Sequence, residues 1–204
     1  GSANTSTLAQ AGPYLGTTDG RTNVYITSGE ATINTYMLSQ MNSNTSYLRD
    51  IMIHEFGHVL GLGTLWEQTE WHWSNGAITY SGTNLIDRTT VTYNANTYAG
   101  WVYGELKNTY VQTAIPLTSG VGGGSDFSHW SESVFNSELM TYQAEYPGTA
   151  MPLSQMTIAS LRDIGWNVNY GAAATYNLGQ PQAQPFTSAS VRGRSSLIYS
   201  LWAD

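Results

Sequence analysis

His54-Glu55-Phe56-Gly57-His58 is the stretch on which this chain turns. The sequence holds four histidines in 204 residues, and two of them stand here, four positions apart. On a helix, positions i and i+4 share a face one turn apart, so His54 and His58 can address a single metal ion. Glu55 follows on the same helix, placed to act on whatever else the metal holds. Two neutral imidazoles with a carboxylate beside them suit zinc-assisted hydrolysis. With so few histidines, chance produces this spacing on the order of a few times in a thousand. The competing reading is a buried histidine pair hydrogen-bonded within a helix.

The flanking residues support a helix. Thr45 or Ser46 is the expected N-cap, and Leu48, Ile51, Met52, Phe56, Val59 and Leu60 follow helical spacing. At about 100° per residue, His54 and His58 fall roughly 40° apart on the flank of that apolar stripe. Gly61 is the expected residue just past the helix end, where a left-handed conformation makes a sharp turn at little cost. The chain is then free to run back toward the metal.

Two histidines leave a zinc site short of a ligand, with a fourth position kept for water. The extended pattern HExxHxxGxxH would put the third histidine at position 64, which is Thr64 here. The remaining histidines are His72, set between Trp71 and Trp73, and His129, in Ser128-His129-Trp130. Glu132 and Glu138 are the carboxylate alternatives. Eleven residues beyond His129 stands Met140, within Glu138-Leu139-Met140-Thr141.

Taken together, these stretches resemble the bacterial leishmanolysin-like metallopeptidases, a metzincin branch. There a long insertion separates HExxHxxG from the third histidine, and a methionine turn follows. The resemblance rests on residues 9–13, 54–66, 128–141 and 152–170 and spans most of residues 8–175, least in the insertion at about 65–125. It implies His54, His58 and His129 as zinc ligands, Glu55 as general base and Met140 as the Met-turn residue. The fold it implies is α+β, with an upper lobe of strands and metal helix facing a lower Met-turn lobe across a cleft. The activity it implies is hydrolysis of protein or peptide substrates by a water activated at one Zn2+. Astacins and serralysins, related metzincins, carry a tyrosine two residues after the methionine, close to the zinc. Tyr142 has that spacing and is a candidate oxyanion donor; packing in the lower lobe is the alternative. A second class of function stays open: a surface or virion-associated binding module that keeps the scaffold with little turnover.

The absence of cysteine excludes disulfides, thiolate ligands and an internal cysteine switch. Charged residues make up 10% of the chain, with a formal net charge of −7, and Ser, Thr, Asn, Gly and Tyr abound. That balance points to a secreted or cell-surface bacterial protein and away from nucleic acid. No apolar run approaches the roughly 20 residues of a membrane span. Gly1-Ser2 reads as a cloning scar, so the chain is expected to begin after any signal or pro-segment.

Asn23–Thr27 reads as a short strand after an Asp19-Gly20 turn and is the candidate cleft-lining edge strand. Within the insertion, 77–80, 90–93 and 101–103 read as further short strands. The glycine-rich run 120–125 reads as a flexible approach to His129, and Asp126 beside it is a candidate Ca2+ ligand, though such an acid is more often solvated. Ser154 is the expected N-cap of a helix over 155–164 closed by Gly165. The catalytic domain is expected to span 1–175, with a linker and tail over 176–204.

Overall fold

Strand β1 (Ala9–Thr18) pairs antiparallel with β2 (Val24–Ile33), from Ala9 opposite Ile33 to Thr18 opposite Val24. The register shifts on either side of Leu15, just after Pro13, whose ring removes a ladder donor. This computed structural model describes residues 7–18, 24–42, 44–67, 71–74, 77–80, 84–122 and 124–178. The expected Asp19-Gly20 turn lies outside them, as do residues 179–204.

After the single turn α1 (Leu38–Met41) comes the long helix α2 (Thr45–Val59). Its N-cap is Asn44, not Thr45 or Ser46: the Asn44 side chain accepts from the N–H of Ser46 at 2.9 Å and of Tyr47 at 3.2 Å. An amide oxygen on an extended residue reaches two of the first free N–H groups at once. The strand pair lies against this helix. A Cβ added at Gly29 would come 2.5 Å from Val59 Cγ1, so only glycine lets β2 lie this close to the end of α2.

The insertion forms the pair β3 (Trp71–Ser74) and β4 (Ala77–Tyr80), then a three-stranded sheet. In that sheet β5 (Ile86–Asp87) and β7 (Ile115–Pro116) flank β6 (Thr92–Tyr93), all antiparallel. Residues 101–103, expected as a strand, belong instead to helix α3 (Tyr98–Leu106). Alternation of Trp, Val and Tyr suggests a period of two, but Ala99, Val102 and Tyr103 are the buried positions and follow helical spacing. Capping completes the helix. Thr97 Oγ1 accepts from Gly100 N–H, and Asp163 takes the N–H groups of Tyr98 and Ala99 from across the fold.

The lower part carries α4 (Glu132–Phe135) and α5 (Gln155–Asp163). Ser154 caps α5 through its hydroxyl, which accepts from Thr157 N–H, and Gly165 ends it at φ 103°. One hydrophobic core runs through the α+β body. At its centre the rings of Trp66, Tyr93 and Trp130 meet, the two tryptophans 4.4 Å apart between centroids. Packing continues past the expected boundary at 175: Tyr176 is buried and its hydroxyl donates to Phe135 O at 2.7 Å. No helix among the described residues is long and apolar enough to cross a membrane.

Candidate metal centre

Three of the four histidines converge. The Nε2 atoms of His54, His58 and His129 form a triangle with sides of 3.0, 3.0 and 3.2 Å. His54 and His58 come from successive turns of α2. His129 comes from the far wall of a cleft of about 1510 Å³, lined above by β1 and α2 and below by residues 121–129 and 132–147. Of His72 the structure describes the backbone, in β3 opposite Thr79; its side chain lies outside the described residues.

The other ring nitrogens explain why these imidazoles point as they do. His54 Nδ1 lies 2.7 Å from Leu139 O, His58 Nδ1 3.0 Å from Leu62 O, and His129 Nδ1 3.1 Å from Ser125 O and 2.9 Å from Ser128 Oγ, whose own hydrogen goes to Gly124 O at 2.6 Å. A carbonyl only accepts, so each Nδ1 carries the proton and donates it. Burial keeps the rings neutral, pushing the pKa of His54 down to about 3 and those of His58 and His129 down as well. Each Nε2 is therefore a bare lone pair. Three lone pairs about 3 Å apart, with no proton among them, repel one another unless a cation stands between them.

That donor set fits a metal ion. Zinc–imidazole bonds of about 2.0–2.1 Å in tetrahedral array hold ligand nitrogens roughly 3.3–3.4 Å apart, within a few tenths of the spacing seen. Among the described residues this is the one group of three or more potential ligands that converges in this way, and each member offers one ligand atom.

Local sequence builds the triangle. Gly61 adopts φ 103°, and the turn it makes returns the Leu62 carbonyl to His58 Nδ1. Gly63, at φ 77°, lies so close to the His129 loop that an added Cβ would sit 2.5 Å from Ser128 O. Gly57, between the two helix histidines, leaves room for Met140, whose Sδ would stand 3.0 Å from a Cβ there. Met140 is fully buried beneath the helix, and its carbonyl accepts from Trp130 N–H at 3.0 Å. The Met140 turn is thereby tied to the residue next to His129.

Glu55 is 5% exposed and lines the same cleft. Its Oε2 is buried with no hydrogen-bond partner among the described residues, and burial pushes its pKa up to about 7. A cation on the histidines would oppose that rise. Tyr142 also lines the cleft, half-buried, with its hydroxyl accepting from Gln143 Nε2 at 2.7 Å.

Neither carboxylate alternative joins the histidines in the converging group, although Glu132 Oε2 is buried without a hydrogen-bond partner among the described residues. Glu138 has both oxygens occupied by donors from Met140, Ser154 and Thr157. Glu132 lines the cleft, and burial raises its pKa. Asp126 spends Oδ1 on the N–H groups of Val121 and Gly122, which makes it a brace for the loop before His129. Strand β1 runs along the cleft, and from β2 Glu30 and Thr32 reach the lining; of the expected edge strand 23–27, Asn23 and the side chains at 24 and 25 lie outside the described residues.

Sequence reasoning passed over Gly63 and the structural use of Glu138. The Gly61-Leu62-Gly63 repeat was the available signal for the first. Little local signalled the second, because the hydroxyls it binds lie 16 and 19 residues on. Comparison of the chain with protein-family models, with curated proteins and with solved structures finds no match to any of them.

Proposed function

We propose that this chain is a zinc-dependent endopeptidase of the leishmanolysin-like, metzincin kind, secreted or displayed at the bacterial cell surface. One observation carries the reading: three neutral imidazoles, each locked by a protonated Nδ1, aim bare Nε2 atoms at one point beside a buried, unpartnered glutamate. His54, His58 and His129 would hold the ion. When bound, zinc polarises a carbonyl oxygen and makes water a stronger acid.

Glu55 supplies the proton traffic. Its free oxygen accepts a proton as water adds to the scissile carbonyl and returns it to the departing amine. Tyr142, which lines the cleft, would donate a hydrogen bond to the oxyanion while still accepting from Gln143, since a phenol oxygen can do both.

Substrate binding has a backbone counterpart. β1 spends one edge on β2, and residues 7–14 line the cleft. An extended peptide can add to such an edge by main-chain hydrogen bonds, short of Pro13, which has no N–H to give. The binding-module alternative gains nothing from an orphaned buried carboxylate, which costs about 1–3 kcal/mol or more to keep.

The test is zinc stoichiometry together with peptide cleavage. The wild-type chain should bind one zinc and cleave casein or gelatin, lose activity to 1,10-phenanthroline and regain it with zinc. His129→Ala should lose the metal while His72→Ala keeps it. The reverse pattern, or cleavage indifferent to the chelator, would sink the assignment.

A further inference from the structure

Glu138 is a buried charge that the proposed chemistry leaves unused. Four donors converge on it. Oε1 accepts from Ser154 N–H at 3.0 Å, Ser154 Oγ at 2.6 Å and Thr157 Oγ1 at 2.6 Å, and Oε2 accepts from Met140 N–H at 2.6 Å. Each hydroxyl also accepts a bond of its own. Thr157 Oγ1 accepts from the Trp130 indole N–H at 2.8 Å, and Ser154 Oγ accepts from Thr157 N–H at 3.2 Å. The two backbone N–H groups can only donate, and with both hydroxyls turned to its oxygens the four bonds favour the carboxylate against the burial that pushes its pKa up.

The Leu139–Met140 peptide is held at both ends. Its N–H goes to Glu138, and its C=O receives His54 Nδ1–H at 2.7 Å. In a trans peptide these two groups point in opposite directions, so carboxylate, peptide and imidazole lie in one hydrogen-bonded line that ends at His54 Nε2. We propose that Glu138 is a positioning residue for His54, acting through the Leu139–Met140 peptide to orient that imidazole and raise the electron density it offers a metal ion.

The physics is stepwise. A charge-assisted bond to the N–H polarises the peptide, and a polarised carbonyl is a stronger acceptor for Nδ1–H. A stronger acceptor there makes Nε2 a better donor to the metal, as carboxylates bonded directly to ligand histidines do. The protein holds its own control. The carbonyls serving His58 and His129 belong to the peptides Leu62–Gly63 and Ser125–Asp126, and among the described residues no carboxylate bonds to either N–H.

The inference rests on the metal-centre reading, and nuclear magnetic resonance separates the two. In the metal-free wild-type protein, the Met140 amide proton and the His54 Nδ1 proton should both lie far downfield and exchange slowly. If either is unremarkable, the proposal is overturned, whatever any variant does. Glu138→Gln then keeps the shape but must set its NH2 against a backbone N–H, of Met140 or of Ser154, and neither can turn away. With the amide oxygen left to the three donors on the Ser154 side, the Met140 bond is lost. The His54 Nδ1 proton should move upfield while those of His58 and His129 stay, and zinc affinity should fall roughly tenfold to a hundredfold.

Thr157→Val is the companion variant. It removes one donor to Oε1 and leaves the Met140 link, so it should lower the melting temperature without moving the His54 signal. Equal movement of all three histidine signals in Glu138→Gln, or the same His54 shift in Thr157→Val, would mean a general structural role and overturn the proposal. A wild-type chain that shows the two downfield protons but takes up no zinc would instead remove the metal-centre reading.

Discussion

Glu55 follows His54 on the helix and Glu138 reaches it through the Leu139–Met140 peptide, yet their surroundings could hardly differ more. Both are buried, 5% and 1% exposed, and burial raises the pKa of each. Around Glu138, in the floor formed by the Met140 turn and the start of α5, four donors answer the charge. On the cleft wall formed by α2, Glu55 Oε2 has no partner among the described residues. A satisfied buried carboxylate holds elements together, whereas an unsatisfied one stores free energy that chemistry can draw on. In the proposed reading the two roles are kept apart, one in packed floor and one on an open cleft.

The largest expected effect comes from Glu55→Gln. Zinc content and folding should be retained while kcat/KM falls roughly 10²- to 10⁴-fold, the range for loss of a general base. Near wild-type turnover would erase the distinction drawn between the two glutamates. Glu138→Ala should act the other way round, by stability first. Stranding four buried donors should lower the unfolding free energy by about 3–5 kcal/mol in chemical denaturation. A variant as stable as wild type would show that water or rearranged hydroxyls replace the carboxylate.

The contrast also has a pH signature in the metal-free protein. Glu55 is raised from 4.5 to about 7 on folding, so between those values the native state binds more protons than the unfolded one. Stability credited to this group is therefore full below about pH 4.5 and is lost as pH rises to about 7. The pH dependence of wild type minus that of Glu55→Gln should show a fall of at most about 3 kcal/mol across that window, less where solvent enters the cleft. Zinc should shrink it, because a nearby cation favours the carboxylate. A difference curve that rises with pH would contradict the burial argument. The smallest expected change is in Tyr142→Phe: a kcat loss of about tenfold with KM little altered would place the hydroxyl at the oxyanion. Unchanged kcat in a zinc-loaded variant would leave Tyr142 as packing.

Much of the upper wall was legible in the sequence because its information is local. The i, i+4 histidines, the helix around them and the Gly61 turn all depend on neighbours a few residues away. Even there, Asn44 rather than Thr45 or Ser46 holds the cap, since one residue of offset decides which oxygen reaches the free N–H groups. At 101–103, local alternation misled, because the cap from Asp163 and the burial of Ala99, Val102 and Tyr103 come from the far side of the fold.

From the sequence by itself came the helix that carries two candidate ligands and a candidate base, the absence of thiol chemistry, and the α+β class. Spacing left the third ligand open among His72, His129, Glu132 and Glu138, and only tertiary structure drew His129 to the other two. It also decided that β1 lines the cleft and that Glu55 stays unpartnered while Glu138 is saturated. The reason is range. Helix periodicity and turn chemistry act over a handful of residues, whereas the 3.0 Å approach of His58 to His129 spans 71 positions and depends on how the whole core packs.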